Sequence, residues 1–440
     1  MSEDFQDRLR RLRKEQRAAS SERVALPETL RARLAARARS SEGVEPAHQD
    51  PELASVGEPT GLAEARNAAG EFAARVQRFE PSFRHGAREL REIDAADRDL
   101  WRVLTGDAAV GALDPRRAVY LDIETTGLSG GAGTKAFLVG LGRFDGERFE
   151  LWQGFLRGPE EERAMLRECA ERIEASAGIV SFFGKAFDRH RLEDKMRFHG
   201  IRPPFDERAH FDLYHPCRRL YAGVFVNSKL ATLERELCGV ERDRDLPGSF
   251  APAAWYDFLA GRAHLLEQVF RHNRDDVLSL VTLAAHLGEV HRAGDPSGGL
   301  DTALVRREAS RSAALARLYA RERRWSDCVD WSRRAAASAA GDDGLREMLE
   351  LQSAALDACG RADEREELLE RLARFAEDLQ SARAAFGLAT TFSRADSLDL
   401  LELAERCAER DPAARGSEAF LRRVRKSLAR ARTSAARRES

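Results

Sequence analysis

The sequence predicts an α/β domain built on a mixed sheet, an antiparallel meander plus parallel strands flanked by helices, followed by an all-α region resembling a helical repeat. Three observations predict it. Short apolar runs, AVYLDIE, AFLVGLGRF and RFELWQGFL, begin at Ala118, with Asp145-Gly146 as a hairpin turn signal between the last two. The segment PEEERAMLRECAERIEAS then reads as an amphipathic helix crossing to a buried strand, GIVSFF. From about Asp301 onward, Gly and Pro nearly vanish from the interiors of the periodic stretches, so no strand is required there.

Each element follows from its residues. The meander strands are short and apolar, and the helix places Met165, Leu166, Cys169, Ala170 and Ile173 on one side, with acidic residues in its first turn. Helical character dominates from Asp188 to about Leu287, broken by the loop GVERDRDLPGSFAPAA. Beyond it, ALARLYARERRWSDCVDWSRRAAASA is similar to one helix-turn-helix unit of the tetratricopeptide type, with its turn near Arg324. LREMLELQSAALDACGRADEREELLERLARF reads as a diverged second unit with Gly360 at its turn, and SLDLLELAERCAER as part of a third. A plain helical bundle is the competing reading.

The expected organisation is therefore a basic, partly disordered arm and linker over 1–60, a lead-in segment over 61–117 packing on the core, and the α/β domain over 118–292. A tetratricopeptide-like region over 300–412 and a basic tail over 413–440 complete it. In the arm, Phe5, Leu9 and Leu12 fall at helical spacing among arginines; in the tail, FLRRVRKSLARARTSAARRES is a candidate phosphate-binding patch or a solvated helix end.

Composition narrows the function classes. Lys and Arg total 72 against 74 Asp and Glu, for a net charge of −2, so any nucleic-acid binding must come from a local patch. No apolar run is long enough to span a bilayer, and the charged start MSEDFQDRLRRLRKEQ has no secretion signal, so a cytoplasmic location without membrane contact is expected. The six cysteines lie far apart and form no C-x-x-C pair, which disfavours a zinc cluster or a disulfide framework. The string GGAGTK fails the order of a phosphate-binding P-loop, and no G-x-S-x-G occurs.

The chemistry concentrates in carboxylates. Asp122 and Glu124 stand two apart on an otherwise apolar strand, so both project from one face of the sheet. Burying such a pair is costly unless strong donors or a cation join it, and hard carboxylate oxygens suit Mg²⁺ or Mn²⁺. Asp188 opens a helix, where a capping role competes with a ligand role. His272 and Asp276 lie four apart on a later helix and share a face; a lone His there is otherwise a surface or core residue.

The string D-I-E-T-T-G at Asp122 resembles the first motif of the DEDD branch of RNase H-like 3′-to-5′ exonucleases. FFGKAFDRHRL is similar to the second motif, through Asp188, and HNRDDVLSL to the third, through His272 and Asp276. GLSGGAGTKAFLVGLG, SFFGKAFD, HFDLYHPCRRL, SKLATLERELCGV and HNRDDVLSL follow the order of the YprB-like group of predicted exonucleases, over roughly residues 60 to 290. The resemblance implies an RNase H-like fold in which Asp122, Glu124, Asp188 and Asp276 hold two Mg²⁺ or Mn²⁺ ions and His272 orients or deprotonates a water. It also implies contacts from Thr125, Thr126, Gly127, Lys185 and Phe187 to a single-stranded DNA or RNA substrate.

Two positions depart from the family. Phe183 stands where relatives carry Asn, and His272 occupies the spacing usual for Tyr. The expected function is hydrolysis of phosphodiester bonds at single-stranded ends by a two-metal mechanism, with protein partners engaged through the C-terminal helices. The alternatives are a weak or inactive RNase H-like nucleic-acid-binding protein, or a helical-repeat interaction scaffold.

Overall fold

The computed structural model describes residues 54–127, 134–242, 250–291, 302–338, 342–362 and 417–436, with single positions between 364 and 409. The basic arm over 1–53, most of GGAGTK and most of the third repeat unit lie outside the described residues.

Seven strands form one sheet. They are β1 (Ala63–Asn67), β2 (Gly70–Phe79), β5 (Ala118–Thr125), β6 (Ala136–Asp145), β7 (Arg148–Phe155), β8 (Gly178–Ser181) and β9 (Ala209–Asp212); β3 (Arg84–His85) and β4 (Arg88–Glu89) make a separate small hairpin. The spatial order is β1-β2-β7-β6-β5-β8-β9. From β1 to β5 each neighbour pairs antiparallel, whereas β5–β8 and β8–β9 are parallel, which is the mixed sheet the apolar runs predict.

The helices are α1 (Arg98–Thr105), α2 (Ala108–Ala112), α3 (Glu162–Glu174), α4 (Asp188–Phe198), α5 (Tyr214–Tyr221), α6 (Leu230–Cys238), α7 (Ala251–Leu259), α8 (Leu266–Leu287), α9 (Thr302–Arg321), α10 (Trp325–Ala337), α11 (Asp342–Ala358) and α12 (Ser417–Ala436). The α3 crossover carries the chain from β7 to β8, and its apolar stripe of Met165, Leu166, Cys169 and Ile173 is fully buried against Leu121, Phe137 and Trp152 of the sheet. Successive side chains of β5 alternate faces: Val119, Leu121 and Ile123 enter the core under α3, and Tyr120 enters the opposite core with Val277 and Val281 of α8. Both faces of the sheet are thus covered, and β5 is central.

Two features differ from the sequence-based expectation. β9 lies within the stretch 188–287 read as helical; its four residues are too few to show periodicity, and parallel pairing to β8 fixes them as a strand. The lead-in over 61–117 supplies β1 and β2, which extend the meander by pairing Ala73 through Phe79 with β7. β1 is polar and sits at the sheet edge, so no apolar run announces it.

In the C-terminal region, α9 and α10 form a helical hairpin whose turn spans Glu322–Arg324, with Arg323 at φ 56°. Leu315, Leu318, Tyr319, Cys328 and Val329 join the same core as Trp101, Leu220 and Val281, so these helices are continuous with the sheet domain. In α12, Phe420, Val424, Leu428 and Ala431 are buried at helical spacing, while Arg425 pairs with Glu405 at 2.8 Å and Arg432 with Glu402 at 2.8 Å. Part of the tail's positive charge is therefore already neutralised within the chain. No helix among the described residues is long and apolar enough to cross a membrane.

Candidate active site

The strand periodicity that alternates core residues along β5 brings Asp122 and Glu124 to the face crossed by α8. Glu124 is 8% exposed, and the ladder to β6 shifts register immediately after it, a bulge that ends the strand at the carboxylates. Asp188 is the first residue of α4 and is buried; Asp276 and His272 share one face of α8.

These groups feel one another. Burial pushes the Asp122 carboxyl up to about 8, with the Asp276 charge adding to the shift. Burial and the charges of Asp122, Asp276 and Asp188 push Glu124 well above its usual range, and burial with Asp122, Asp212 and Asp276 does the same for Asp188. These three and the Asp276 charge therefore form one electrostatic unit, and full ionisation of Asp122, Glu124 and Asp188 needs added positive charge. The donor set is oxygen-rich and anionic, the chemistry that fits a hard divalent cation. Among the described residues, no group of three or more His, Cys, Asp or Glu is arranged to hold a metal ion.

Several residues that hold this unit are not evident from the motifs. Asn273 is fully buried on α8 and donates from Nδ2 to the Asp122 carboxylate at 2.8 Å and to the Asp122 carbonyl at 3.2 Å. Its Oδ1 accepts from Gln153 of β7 at 2.9 Å, and Gln153 also donates to the Phe270 carbonyl at 2.8 Å. Gly140 is the cross-strand partner of both Asp122 and Gln153, and a Cβ there would lie 2.4 Å from the Asn273 Oδ1. The missing side chain is what lets the amide reach across the sheet.

Arg242 follows α6 and is almost fully buried. Its Nε and Nη2 donate to Glu234 at 2.5 and 2.8 Å, Nη1 meets His272 Nδ1 at 3.2 Å, and Nη2 bonds Asp276. Glu234 also accepts from Ser279, whose hydroxyl contacts His85 Nε2 at 2.7 Å. His272 Nε2 lies 3.6 Å from the other Asp276 oxygen. Neighbouring Asp275 turns to Arg274, 2.7 Å away.

The loop between β8 and α4 is fixed by Asp212, at the end of β9. Its Oδ1 accepts from the N–H groups of Phe183 at 2.8 Å and Tyr214 at 3.1 Å, and its Oδ2 from that of Lys185 at 3.1 Å. Gly184 passes so close to Asp188 that a Cβ would lie 2.9 Å from Asp188 Oδ2. Phe183 is held at φ 58° with its ring 45% exposed, edge-on to Tyr214 at 4.9 Å between centroids. Arg218 stacks over the Tyr214 ring, 5.6 Å from its centroid.

The expected substrate contacts are placed as follows. Thr125 is buried and donates to the Gly127 carbonyl at 3.1 Å; the Thr126 hydroxyl accepts from the Lys135 N–H at 3.0 Å. Both hydroxyls thus shape the turn that leaves the strand. Lys185 is exposed and lines a cavity of about 210 Å³ with His210, Asp212, His215 and Arg219, and Phe187 is covered by the Arg191 guanidinium at 4.9 Å. Lys135, the lysine of the failed P-loop string, is tied to buried Glu162 at 2.7 Å. His210 hydrogen-bonds Ser181 at 2.7 Å, a packing role.

Residues 119–288 match the family model described as the RNase H superfamily. A protein of Bacillus subtilis (strain 168), named as uncharacterized protein YprB, is 34% identical over 218 residues, which cover 47% of this chain and 51% of that protein. The chain spans about half the length of this relative. The mixed sheet and the carboxylates on β5 accord with these two similarities, which liken residues 119–288 to the RNase H superfamily.

Proposed function

We propose that this domain is a divalent-metal-dependent 3′-to-5′ exonuclease that hydrolyses phosphodiester bonds at single-stranded DNA or RNA ends by a two-metal mechanism. The observation that carries the reading is the convergence of Asp122, Glu124, Asp188 and Asp276, from β5, α4 and α8, into one mutually repelling acidic set in which Glu124 and Asp188 are buried and Asp122 and Asp276 half-buried. Four carboxylates with so little compensating charge are poor for stability, and their clustering suits cation binding.

On this proposal the four carboxylates hold two Mg²⁺ or Mn²⁺ ions. Bound there, the ions supply a nucleophilic water at neutral pH and stabilise the leaving oxygen. Asn273 keeps Asp122 oriented on its strand, and the Glu124 bulge aims the second carboxylate out of the ladder. His272, on the face of α8 that carries Asp276, orients the attacking water or takes its proton. The exposed Phe183 ring, backed by half-buried Tyr214, offers an aromatic surface for stacking a terminal base, with Lys185 close by in the same loop for phosphate.

The test is direct. Full-length protein with Mn²⁺ is given single strands labelled at the 5′ end, which should shorten stepwise from the 3′ end. An Asp122→Ala variant of intact fold should lose about a hundred- to a thousandfold in rate, as expected when transition-state charge stabilisation is removed. No shortening with either Mg²⁺ or Mn²⁺ would overturn the proposal, as would full activity in Asp122→Ala.

A further inference from the structure

We propose that Arg242 is a built-in counter-cation of the acidic site, holding Asp276 in the metal-free protein and yielding it when a divalent ion arrives. The inference rests on the reading of the carboxylates as a divalent-ion site. The contacts are specific: one guanidinium meets Glu234 twice, Asp276 once and the Nδ1 of His272. A guanidinium is a pure donor with several N–H groups in a rigid fork, so it can bridge two carboxylates that would otherwise repel each other.

Glu234 is what makes the arrangement reversible. It is 1% exposed, and it is itself fastened by Ser279 and, through that hydroxyl, by His85. Arg242 therefore keeps a full two-contact partner when it lets go of Asp276. Letting go leaves neither the cation unpaired nor Glu234 uncompensated, so the release costs far less than breaking an isolated buried pair. The Asp276 oxygen is where the competition occurs, because a carboxylate oxygen bonded to a guanidinium N–H and one ligating a hard cation use the same lone pairs.

The same contact restrains His272. Because the guanidinium only donates, Nδ1 of His272 is the acceptor in this contact. The other ring nitrogen, Nε2, lies 3.6 Å from Asp276, so the imidazole sits between the guanidinium and the carboxylate. Arg242 thus holds Asp276 and positions its neighbouring imidazole through one side chain.

The experiment is Mn²⁺ binding to the full chain by calorimetry, checked by the electron paramagnetic resonance signal of free Mn²⁺. Arg242→Gln should bind Mn²⁺ at least about tenfold tighter than the parent protein, a change of about 1.4 kcal/mol. Glu234→Gln should bind it more weakly, since the guanidinium then leans wholly on Asp276. If Arg242→Gln fails to fold because Glu234 is left unpaired, the double variant Arg242→Gln/Glu234→Gln removes both charges and should also bind more tightly than the parent. Parent-like or weaker Mn²⁺ binding in the folded Arg242→Gln or double variant overturns the proposal. If neither the parent nor any folded variant binds Mn²⁺, the failure belongs to the ion-site reading itself, and the role of Arg242 falls with it.

Discussion

Gly140→Ala probes how the site is built without touching a charged group. Gly140 faces Asp122 on one neighbouring strand and Gln153 on the other, and Asn273 fills the space above it. A Cβ would stand 2.4 Å from Asn273 Oδ1 and 2.9 Å from its Cγ and Nδ2. Asn273 has no exposure into which to retreat, so the amide must leave Asp122, Gln153 or both. Overpacking a core costs about 1–3 kcal/mol. Leaving the buried amide or its partner without a hydrogen bond costs about 1–3 kcal/mol. Removing a strand glycine returns about 0.5–1 kcal/mol. The net destabilisation is about 1–5 kcal/mol, read as a shift in the urea midpoint at unchanged slope. The decisive measurement is the cycle with Asn273→Ala, which empties the space the new methyl needs. Gly140→Ala should then cost little in the Asn273→Ala background. Additivity of the two substitutions within about 0.5 kcal/mol would refute the argument that the glycine exists to admit the amide.

Further outcomes follow from the same geometry. Asp122 is pushed up to about 8, and Glu124 and Asp188 are also raised, so the native state holds protons that the unfolded chain releases near pH 4. The sign is then fixed: in chelator, stability falls as pH rises from about 4 toward about 8, by up to about 1.4 kcal/mol per pH unit for each retained proton. Thermal midpoints between pH 5 and 8.5 should decline, Asp122→Asn should flatten the decline, and Mn²⁺ should reverse it; a midpoint that climbs across this window contradicts the assignment. Phe183→Gly separates backbone strain from binding. Relief of a positive φ in a bulky residue should stabilise the fold by about 1 kcal/mol. Loss of the stacking surface should weaken single-strand binding by about 1–3 kcal/mol. An oligonucleotide with an abasic 3′ end should bind parent and variant alike; equal losses on both ligands would remove Phe183 from base contact.

What the sequence made legible was whatever depends on local periodicity. Asp122 and Glu124 are two apart on a strand, and His272 and Asp276 are four apart on a helix, so their shared faces follow from backbone geometry alone. The meander, the crossover α3 and the turn near Arg324 are legible for the same reason. Gln153, Asn273 and Gly140 were not, because their association depends on the register of three strands and on which turn of α8 crosses them. The string HNRDD held Asn273 in plain view, yet nothing local distinguishes an amide bound to Asp122 from one in solvent. Arg242 was hidden differently: it sits in a polar string, GVERDR, that reads as a solvated loop, and only the burial of Glu234 on α6 draws it inside. Phe183 was read as a departure from the family; its exposure and its contact with Tyr214 are tertiary facts.

The two ends of the acidic set are neutralised in unlike ways, and the difference bears on how such a site works. Asp122 receives a neutral amide, locked by Gln153 and by the absence of a side chain at residue 140. An amide orients a carboxylate without competing for its charge, so on the proposed reading Asp122 would stay attractive to a cation while Asn273 holds it. Asp276 instead receives a full positive charge from a side chain with a second anion to fall back on. A competing cation lowers affinity for a metal ion, yet it also lowers the cost of burying the carboxylate when no ion is present. Were both ends held by amides, nothing in the empty site would offset the charge on Asp276; were both held by arginines, an incoming ion would have to displace two guanidiniums. If the proposed ion site holds, one fixed neutral donor and one movable cation would leave it stable when empty and open to metal, and would make Asp276, rather than the strand carboxylates, the position at which loading is controlled.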